Sequence, residues 1–524
     1  MAVHSHVFRS SFPDVTVPNV TLPEFVLGAA RSRGAHPALV DGVSGRTITY
    51  EDLAEQVRRL AAGFSRRGIG KGDVVAIWSP NVPEYAVVFH AVASLGAILT
   101  TVNSSYTAEE VAFQIGDAQP KALVTVAAFV PRAREAAALA GLAIEIFTMD
   151  ASDQATPLVS VAVDADPPPV SIDPATDVVV LPYSSGTTGL PKGVMLTHRN
   201  LVANLRQIDA IEVPDLGTFL GVLPFFHIYG MVVIMNLALM RGATSVTLAK
   251  FDLETVLKIL QDWPIRLAHI VPPIVVALAK HPIVAKYDLS GLDCLFSGAA
   301  PLGVELTEAV ETRLSLRVRQ GYGMTEASPA THYTVAGRER AGKAGLLMPS
   351  TECRIVEPES GHDVGAGERG EVWVRGPQVM KGYLNNPEAT ALTVDNDGWL
   401  HTGDIGVMDD EGYLEVVDRL KELIKVKGFQ VAPAELEAIL LKHPAIADVA
   451  VIPVPDAESG EVPKAMVVAR GELTAQDVID FVQSHVAHHK RIKHVAFVAQ
   501  IPKSASGKIL RRVLVAEERA RAAT

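Results

Sequence analysis

Residues 184–193 read Ser-Ser-Gly-Thr-Thr-Gly-Leu-Pro-Lys-Gly and directly follow the apolar run Val178 to Leu181. Glycines let backbone N–H groups approach phosphate oxygens, the hydroxyls add donors or a magnesium ligand, and the lysine supplies compensating charge. A Walker A loop places its lysine directly after a glycine, whereas Lys192 here follows a leucine and a proline and precedes Gly193. The composition predicts a polyphosphate-binding loop of another kind.

By itself, a loop of this composition is as often an ordinary polar connection as a nucleotide site. The rest of the chain therefore has to decide between the two interpretations. Further motifs rich in glycine, hydroxyl and charged residues lie downstream of the loop.

The bulk composition excludes several classes of protein. A chain of 524 residues with 48% hydrophobic residues is too long for one core and predicts at least two domains. A formal charge of −12 argues against a nucleic-acid partner, since phosphate binding needs a basic surface. The two cysteines, Cys294 and Cys353, predict no disulfide framework and favour a reducing, cytoplasmic location. The longest apolar stretch, Ala86 to Leu99, is too short to predict a membrane span.

The periodicity of the chain predicts an α/β fold. Thr49 to Asp52 is typical of a capped helix start, and Asp73 to Trp78 is typical of a buried strand. A helix over Glu84 to Leu95 and a strand over Ala97 to Val102 complete a β-α-β unit. Such alternation implies largely parallel sheets.

A domain boundary is predicted near Asp418 to Lys421. Beyond it, Ala434 to Leu441 reads as a helix, and Val449 to Val454 and Lys464 to Val468 read as strands. We therefore expect a large N-terminal domain of several subdomains over residues 1–418 and a small α+β domain over residues 419–524.

Four more motifs follow the loop in a fixed order: Gly321 to Glu326, Trp399 to Asp404, Asp418 to Gly428, and Ser506 to Lys508. In this order and at this spacing, the chain resembles the adenylate-forming superfamily of acyl-CoA synthetases, peptide-synthetase adenylation domains and firefly luciferases, from about Pro37 to Arg512. Within the superfamily it is most similar to 4-coumarate:CoA ligases, in the stretches Val271 to Val275, Ser297 to Gly303 and Lys425 to Glu437.

The resemblance implies an ATP-dependent carboxylic acid:CoA ligase that works through an acyl adenylate, with ATP, magnesium and coenzyme A. It implies that the loop binds the β and γ phosphates and that Thr188 and Glu326 bind magnesium. Asp404 would bind the ribose hydroxyls, with Arg419 assisting from across the cleft. The nucleotide-binding and coenzyme-binding residues implied in this way are Ser184, Ser185, Gly186, Thr187, Thr188, Lys192, Gln320, Gly321, Thr325, Asp404, Arg419, Lys421, Lys425 and Lys508.

The resemblance also assigns the chemistry. His227 would orient the acid's carboxylate, and Lys508 would bridge that carboxylate and the α-phosphate. A rotation of a mobile C-terminal domain at Lys421 would then bring Lys427 and Gly428 to the pantetheine tunnel, and Lys250 would meet the coenzyme A phosphates. Taken singly, these residues have ordinary explanations: a core histidine, a solvated basic end, a loop glutamate or a helix cap.

The acyl pocket implied by the resemblance has small residues on one side. Gly321 and Gly323 would leave a flat slot suited to a planar cinnamoyl group. Val233 cannot hydrogen-bond a ring hydroxyl, and Ala330 leaves room for ring methoxy groups. The predicted pocket residues are Tyr229, Val233, Phe296, Ala299, Gly321, Gly323, Pro329 and Ala330.

Other functions stay open at this point. The chain could load a carrier protein in place of coenzyme A, or it could activate medium-chain or long-chain fatty acids or benzoates. A paralogue that only binds ligands is disfavoured, because Lys508, Glu326, Thr188 and His227 are all present. The sequence does not choose between a monomer and a homodimer.

Overall fold

The computed structural model describes residues 6–184, 191–213, 217–427, 429–456, 459–504 and 507–522. Within these residues, the chain up to Arg419 contributes to three sheets, and the chain from Ile424 onward builds a fourth, smaller one. The predicted α/β class with a large N-terminal part and a small C-terminal part is confirmed.

One sheet of the large part carries the predicted phosphate loop. Its central strands are parallel, and Lys192–Thr197 and Gly382–Tyr383 add antiparallel strands at one edge. In spatial order the strands are Gly382–Tyr383, Lys192–Thr197, Val178–Ser184, Ile98–Val102, Val74–Trp78, Ala122–Thr125, Glu145–Thr148 and Thr156–Pro157.

The other two sheets of the large part are mixed. The smaller one contains, in spatial order, Phe219–Gly221, Ser245–Thr247, Pro37–Asp41 and Thr47–Thr49. The larger one contains Phe8–Arg9, Glu352–Val356, Arg369–Arg375, Leu400–Met408, Tyr413–Arg419, Gly345–Leu347, Ala330–Tyr333, Arg317–Gly323, Cys294–Ser297 and Leu267–Ile270, with Asp363–Val364 paired to Glu352–Val356. Only its last three strands in this order are parallel to one another among those described.

The small part has its own sheet and its own core. The strands are Phe429–Val431, Ile424–Val426, Gly460–Ala469 and Ile446–Asp456 in spatial order, with His494–Phe497 parallel to Gly460–Ala469. The two long strands form one hairpin, which is longer than the predicted segments. A separate cluster of buried residues, including Leu436 and Val467, fills the space between this sheet and its helices.

Helices alternate with the strands along much of the chain. The α-helices are Leu22–Leu27, Ala30–Arg33, Tyr50–Arg66, Glu84–Ser94, Ala108–Ala118, Val130–Leu139, Leu158–Val161, His198–Ile211, Leu237–Arg241, Leu253–Asp262, Pro272–Lys280, Val304–Leu314, Pro387–Thr393, Pro433–Leu440, Ala475–Gln483 and Arg511–Ala522. Tyr229–Asn236 is a π-helix, and the short 3₁₀ turns are Ala127–Phe129, Pro282–Lys286, Thr325–Ala327 and His488–Lys490. None of the helices described is long and apolar enough to cross a membrane.

Local sequence signals account for the first β-α-β unit. The Thr49 hydroxyl accepts from the Asp52 N–H, and the Asp52 carboxylate accepts from the Thr49 N–H at 3.4 Å. This reciprocal cap starts the helix at Tyr50 as predicted, because it satisfies backbone donors that the first turn leaves unpaired. The predicted strand and helix that follow are confirmed at Val74–Trp78 and Glu84–Ser94.

The sheets position the site through the ends of their strands. The parallel strands Val178–Ser184 and Ile98–Val102 end beside one another, and Cys294–Ser297 and Arg317–Gly323 do the same in the larger sheet. Ligands of α/β proteins bind beyond the carboxyl ends of such strands. Side chains at or just after these ends line one common cavity.

Candidate active site

A cavity of about 1030 Å³ brings most of the predicted site residues together. The predicted residues that line it are Ser184, Lys192, His227, Tyr229, Val233, Phe296, Ala299, Gly321, Gly323, Thr325, Glu326, Pro329, Ala330, Arg419, Lys421 and Lys508. Gln320, Asp404, Lys250, Lys425 and Lys427 do not line it. Ser185, Gly186, Thr187, Thr188 and Gly428 lie outside the described residues.

The two strands that flank the predicted phosphate loop are paired with each other. Ser184 ends one strand and stands opposite Lys192, the first residue of the next. The Lys192 Nζ lies 4.7 Å from the centre of the Tyr383 ring. Antiparallel pairing therefore fixes the entry and exit of the loop at the carboxyl end of a parallel strand, with a lysine facing the cavity.

Glu326 is a buried carboxylate at the cavity wall. Glu326 is 3% exposed, and its Oε1 accepts a hydrogen bond of 2.8 Å from the Tyr383 hydroxyl. Across the part of the chain that the structure describes, no group of three or more His, Cys, Asp or Glu side chains is placed to hold a metal. Mg²⁺ needs only one or two carboxylates when phosphates and waters complete its shell, so Glu326 fits such a site.

Asp404 and Arg419 are neighbours on adjacent antiparallel strands. The Asp404 Oδ2 accepts from the Tyr322 hydroxyl at 2.6 Å, and its Oδ1 lies 3.2 Å from the Arg419 Nε. The expectation that Arg419 acts from across the cleft is wrong, because cross-strand pairing places it directly beside Asp404. Burial and the nearby Asp404 raise the pKa of Tyr322 well above its usual value, so this hydroxyl remains a donor.

Gln320 carries an unpaired buried donor. Its Oε1 accepts from the Leu302 N–H at 3.2 Å, and its Nε2 is buried with no partner among the described residues. An unpaired buried amide is costly. Because Gln320 does not line the cavity, its predicted contact with the nucleotide stays a prediction.

His227 is neutral at physiological pH. Burial, together with the nearby positive charge of Lys508, lowers its pKa to about 4. The Tyr229 N–H donates to the His227 Nδ1 at 3.2 Å, which assigns the proton to Nε2. The side chain can therefore donate one hydrogen bond into the cavity.

Lys508 reaches the same cavity from the C-terminal part of the chain. Its pKa is lowered to about 8, mainly by burial and also by the charge of Arg419, although Asp404 and Glu422 act in the opposite direction. Lys508 is therefore largely protonated at pH 7. A cation and a neutral imidazole donor thus face one space, an arrangement suited to a substrate carboxylate and a phosphate.

Hydrogen bonds and a close contact fix the loop that carries Lys508. The Ser504 N–H donates to the Lys508 carbonyl at 2.8 Å, and the Lys508 N–H donates to the Ser504 Oγ at 3.1 Å. Gly507 has φ +79°, and a Cβ at this position would lie 2.7 Å from two atoms of the Pro273 ring. Glycine is required here because the loop adopts a left-handed conformation against the large part of the molecule.

The other lysines predicted for coenzyme A lie outside the cavity. Lys425 and Lys427 are exposed, and the Lys427 N–H donates to the Ser459 carbonyl at 2.9 Å. Lys250 is also exposed. In this orientation of the small part, Lys508 lines the cavity, whereas Lys427 lies outside it.

Gly321 and Gly323 line the cavity for a different reason from the one expected. A Cβ on Gly321 would lie 2.8 Å from the Phe296 Cζ, and one on Gly323 would lie 2.1 Å from the Pro329 carbonyl oxygen. Neighbouring atoms already fill the space that the missing side chains leave. The glycines therefore permit close packing of the pocket wall; they do not open a flat slot.

Sequence reasoning missed several residues of the cavity wall. Tyr322 and Tyr383 hold the carboxylates of Asp404 and Glu326, and Asn103 and Tyr106 follow the strand Ile98–Val102 at the cavity. Position at the carboxyl end of a parallel strand was the signal that could have indicated the second pair.

Comparisons with known proteins agree with this fold. The family model for AMP-binding enzymes matches residues 28–384, and that for the AMP-binding enzyme C-terminal domain matches residues 435–508. The chain belongs to the AMP-binding enzyme family. The expected membership of the adenylate-forming superfamily is confirmed.

Curated relatives cover nearly the whole chain. A 4-coumarate–CoA ligase of Pinus taeda is 42% identical over 97% of both chains. The 4-coumarate–CoA ligase 3 of Oryza sativa subsp. japonica is 44% identical over 97% of this chain and 94% of its own length.

Solved structures show the same architecture. ATP-bound MatB from Rhodopseudomonas palustris has a TM-score of 0.86 and 28% identity over 95% of this chain and 99% of its own. The o-succinylbenzoate CoA synthetase MenE from Bacillus subtilis, in complex with its acyl-adenylate intermediate, has a TM-score of 0.81 and 27% identity over 94% and 98%.

Proposed function

We propose that this protein is an ATP-dependent carboxylic acid:CoA ligase that acts through an acyl adenylate, with hydroxycinnamates as preferred acids. The observation that carries the proposal is the meeting of Lys508 with His227 in a cavity that also holds the ends of the phosphate loop. Relatives named 4-coumarate–CoA ligases, at 42–44% identity over almost the full length, support the choice of acid.

In the first half-reaction, a carboxylate oxygen of the acid attacks the α-phosphorus of ATP, and the bond to the β-phosphate breaks to release diphosphate. Two anions approach each other, so the protein must supply positive charge and donors to the transition state. Lys508 supplies the cation shared by the carboxylate and the α-phosphate. His227 orients the carboxylate through its Nε2–H.

The phosphate loop, with Ser184, Ser185, Gly186, Thr187, Thr188 and Lys192, binds the β and γ phosphates in this proposal. Gln320, Gly321, Thr325, Asp404 and Arg419 bind the adenosine moiety. Thr188 and Glu326 would hold magnesium, and the bound ion would neutralise phosphate charge. Glu326 suits the role because its carboxylate is fixed by Tyr383 at the cavity wall.

In the second half-reaction, the thiol sulfur of coenzyme A attacks the acyl carbonyl, AMP leaves, and the thiol proton passes to solvent. Lys427 and Gly428 then replace Lys508 after a rotation at Lys421, and Lys250 and Lys425 contact the coenzyme A phosphates. We divide the chain into domains of residues 1–418 and 419–524 on this basis. Support comes from the separate core of the small part.

We propose a cytoplasmic location, which is supported by Cys294 and Cys353, two buried free thiols of the kind usual in a reducing compartment. We propose small molecules as its partners, and the formal charge of −12 argues against a nucleic acid, whose phosphates need a basic surface.

The test is thioester formation from ATP, magnesium and coenzyme A across cinnamates, benzoates and fatty acids, with AMP and diphosphate measured as products. We expect a higher kcat/KM for 4-coumarate than for octanoate. A preference for octanoate of more than about tenfold, roughly 1.4 kcal/mol of transition-state binding, would contradict the hydroxycinnamate proposal. Failure of free coenzyme A to discharge the adenylate would instead indicate a carrier protein as acceptor.

A further inference from the structure

A buried ion pair lies next to the acyl pocket and has no part in the proposed chemistry. The Arg319 Nη1 donates to the Glu212 Oε1 at 3.0 Å, and the two side chains are 3% and 0% exposed. The Tyr333 hydroxyl donates to the other oxygen, Oε2, at 2.5 Å. The Arg319 Nε points to the Cys294 sulfur at 3.1 Å. A desolvated charged pair of this kind is expensive, so its position calls for an explanation.

Strand register places this network on the acyl side of the large sheet. Side chains two residues apart on a strand share a face, so Arg319 lies on the same face as Gly321. Gly321 pairs with Tyr333, and Phe296 pairs with Arg319 on the other neighbouring strand. All four residues therefore face one side, with Arg319 farther than Gly321 from the strand's carboxyl end at the reaction centre.

Tyr333 and Phe296 close the pocket at this end. Their rings stack with centroids 4.2 Å apart, and both side chains line the cavity. Glu212 and Arg319 do not line it. The pocket thus ends on two aromatic rings, and the ion pair stands behind them.

The Tyr333 hydroxyl is held in a defined state. Burial and the Glu212 carboxylate raise the pKa of Tyr333 well above its usual value, so the phenol keeps its proton. That proton is donated to Glu212, and a phenol oxygen that donates can still accept a hydrogen bond. Donation to a carboxylate polarises the hydroxyl and makes its oxygen a stronger acceptor.

We propose that Tyr333 is the specificity-determining residue at the distal end of the acyl pocket, where its oxygen accepts a hydrogen bond from a ring hydroxyl of the bound acid. Glu212 and Arg319 act as positioning residues through Tyr333. The inference rests on the proposed function. It supplies the polar contact that Val233, an apolar residue elsewhere in the pocket wall, cannot make.

The first arm of the test uses the wild-type enzyme and three acids: 4-coumarate, 4-methylcinnamate and cinnamate. A methyl group has about the size of a hydroxyl but donates no hydrogen bond. We expect kcat/KM for 4-coumarate to exceed that for 4-methylcinnamate by about five- to tenfold, the net value of one added hydrogen bond. The effect is modest because Tyr333 keeps its bond to Glu212 when no hydroxyl is present.

The second arm uses Tyr333→Phe, which keeps the stacked ring and removes the oxygen. The ratio of kcat/KM for 4-coumarate to kcat/KM for 4-methylcinnamate should fall to about one in this variant. Tyr50→Phe is the matched control, because Tyr50 is fully buried and donates to the Ala243 carbonyl at 2.7 Å but does not line the cavity. In Tyr50→Phe, the ratio of the two kcat/KM values should match that of the wild type.

Equal use of 4-coumarate and 4-methylcinnamate by the wild type would overturn the inference, as would an unchanged ratio in Tyr333→Phe. Both results leave the proposed function in place. If the wild type forms no thioester from any of the three acids, the proposed function is wrong and the inference falls with it.

Discussion

At the scale of single residues, the site combines a neutral donor and a cation whose ionisation is set by burial. His227 has a pKa of about 4 and Lys508 a pKa of about 8, and both face the same cavity. Both shifts favour the uncharged form, because desolvation penalises a positive charge. Binding of the acid and ATP would supply the anions that stabilise the lysine.

Lys508→Ala should lower the rate of adenylation by about 10²–10³, the usual cost of one electrostatic donor to a transition state. Diphosphate exchange measures that step. Thioester formation from pre-made acyl adenylate should stay near wild type. Lys493→Ala is a suitable control, because Lys493 forms a half-exposed ion pair with Asp456 away from the cavity. Equal loss of both half-reactions in Lys508→Ala would contradict its assignment to one step.

Adenylation should decline as the pH rises through about 8. The Lys508 cation is present below its pKa of about 8 and lost above it, so kcat/KM for the acid should fall on the alkaline side. Diphosphate exchange without coenzyme A keeps thiol ionisation out of the measurement. An arginine side chain stays charged over this pH range, so the fall in kcat/KM above about pH 8 should be absent in Lys508→Arg. If kcat/KM falls over the same pH range in that variant, the titrating group is not Lys508.

Glu212→Ala should destabilise the large part of the molecule by about 3–5 kcal/mol, because it leaves Arg319 buried without its carboxylate. Urea denaturation followed by circular dichroism measures the change. Asp262→Ala removes a more exposed i,i+4 ion pair with Lys258 and should cost less than about 1 kcal/mol. Similar midpoints for the two variants would show that the buried pair carries little stability.

At the scale of elements, the loop before the last helix decides where Lys508 lies. Gly507 combines a positive φ with close contact to Pro273, which belongs to the helix Pro272–Lys280. Arg511, at the start of Arg511–Ala522, ion-pairs with Glu437 and Glu422 and so joins the loop to the chain around the predicted hinge. The loop is therefore fixed to both parts of the molecule in this orientation.

Gly507→Ala should lower adenylation by about tenfold or more, since a left-handed alanine is strained and its Cβ would meet the Pro273 ring. Transfer from pre-made adenylate should stay within about twofold, because that step does not need this contact. Gly471→Ala is the matched control, as a Cβ there meets nothing within 4 Å. Equal effects of the two substitutions on adenylation would contradict a role for the contact.

At the scale of the whole molecule, one orientation of the small part is seen. Lys508 lies inside the cavity, whereas Lys427 lies outside it. The ion pair between Lys442 and Glu305 also joins the two parts. If both lysines serve the reaction, the small part must turn between the two half-reactions.

Gly428→Leu should show the reverse of the Lys508→Ala pattern, because a side chain at Gly428 would obstruct pantetheine. Acyl adenylate should form from acid and ATP, and its transfer to coenzyme A should be slowed. Each half-reaction is measured separately in both variants. If both variants lose both half-reactions equally while folded by circular dichroism, the alternating orientation does not apply to this chain.

Interactions between residues close together in the sequence could be predicted, whereas interactions between distant segments could not. The cap at Thr49 and Asp52 involves residues three apart, so the sequence specifies it locally. Glu212 and Arg319 are 107 positions apart, and nothing in either neighbourhood indicates that they meet. The same holds for Gly321, whose need for glycine comes from the Phe296 ring on a neighbouring strand.

Local caps, periodicity and the order of the motifs were enough to predict the α/β class, the starts of helices and strands, and the resemblance to adenylate-forming enzymes. Three features became visible in the folded chain: Arg419 lies beside Asp404, Lys508 lines the cavity, and the Tyr333 hydroxyl donates to the carboxylate of a buried ion pair. Capping and periodicity act between near neighbours, so they can be predicted from a short stretch of sequence. Strand register, domain orientation and burial of charge arise from contacts between distant segments.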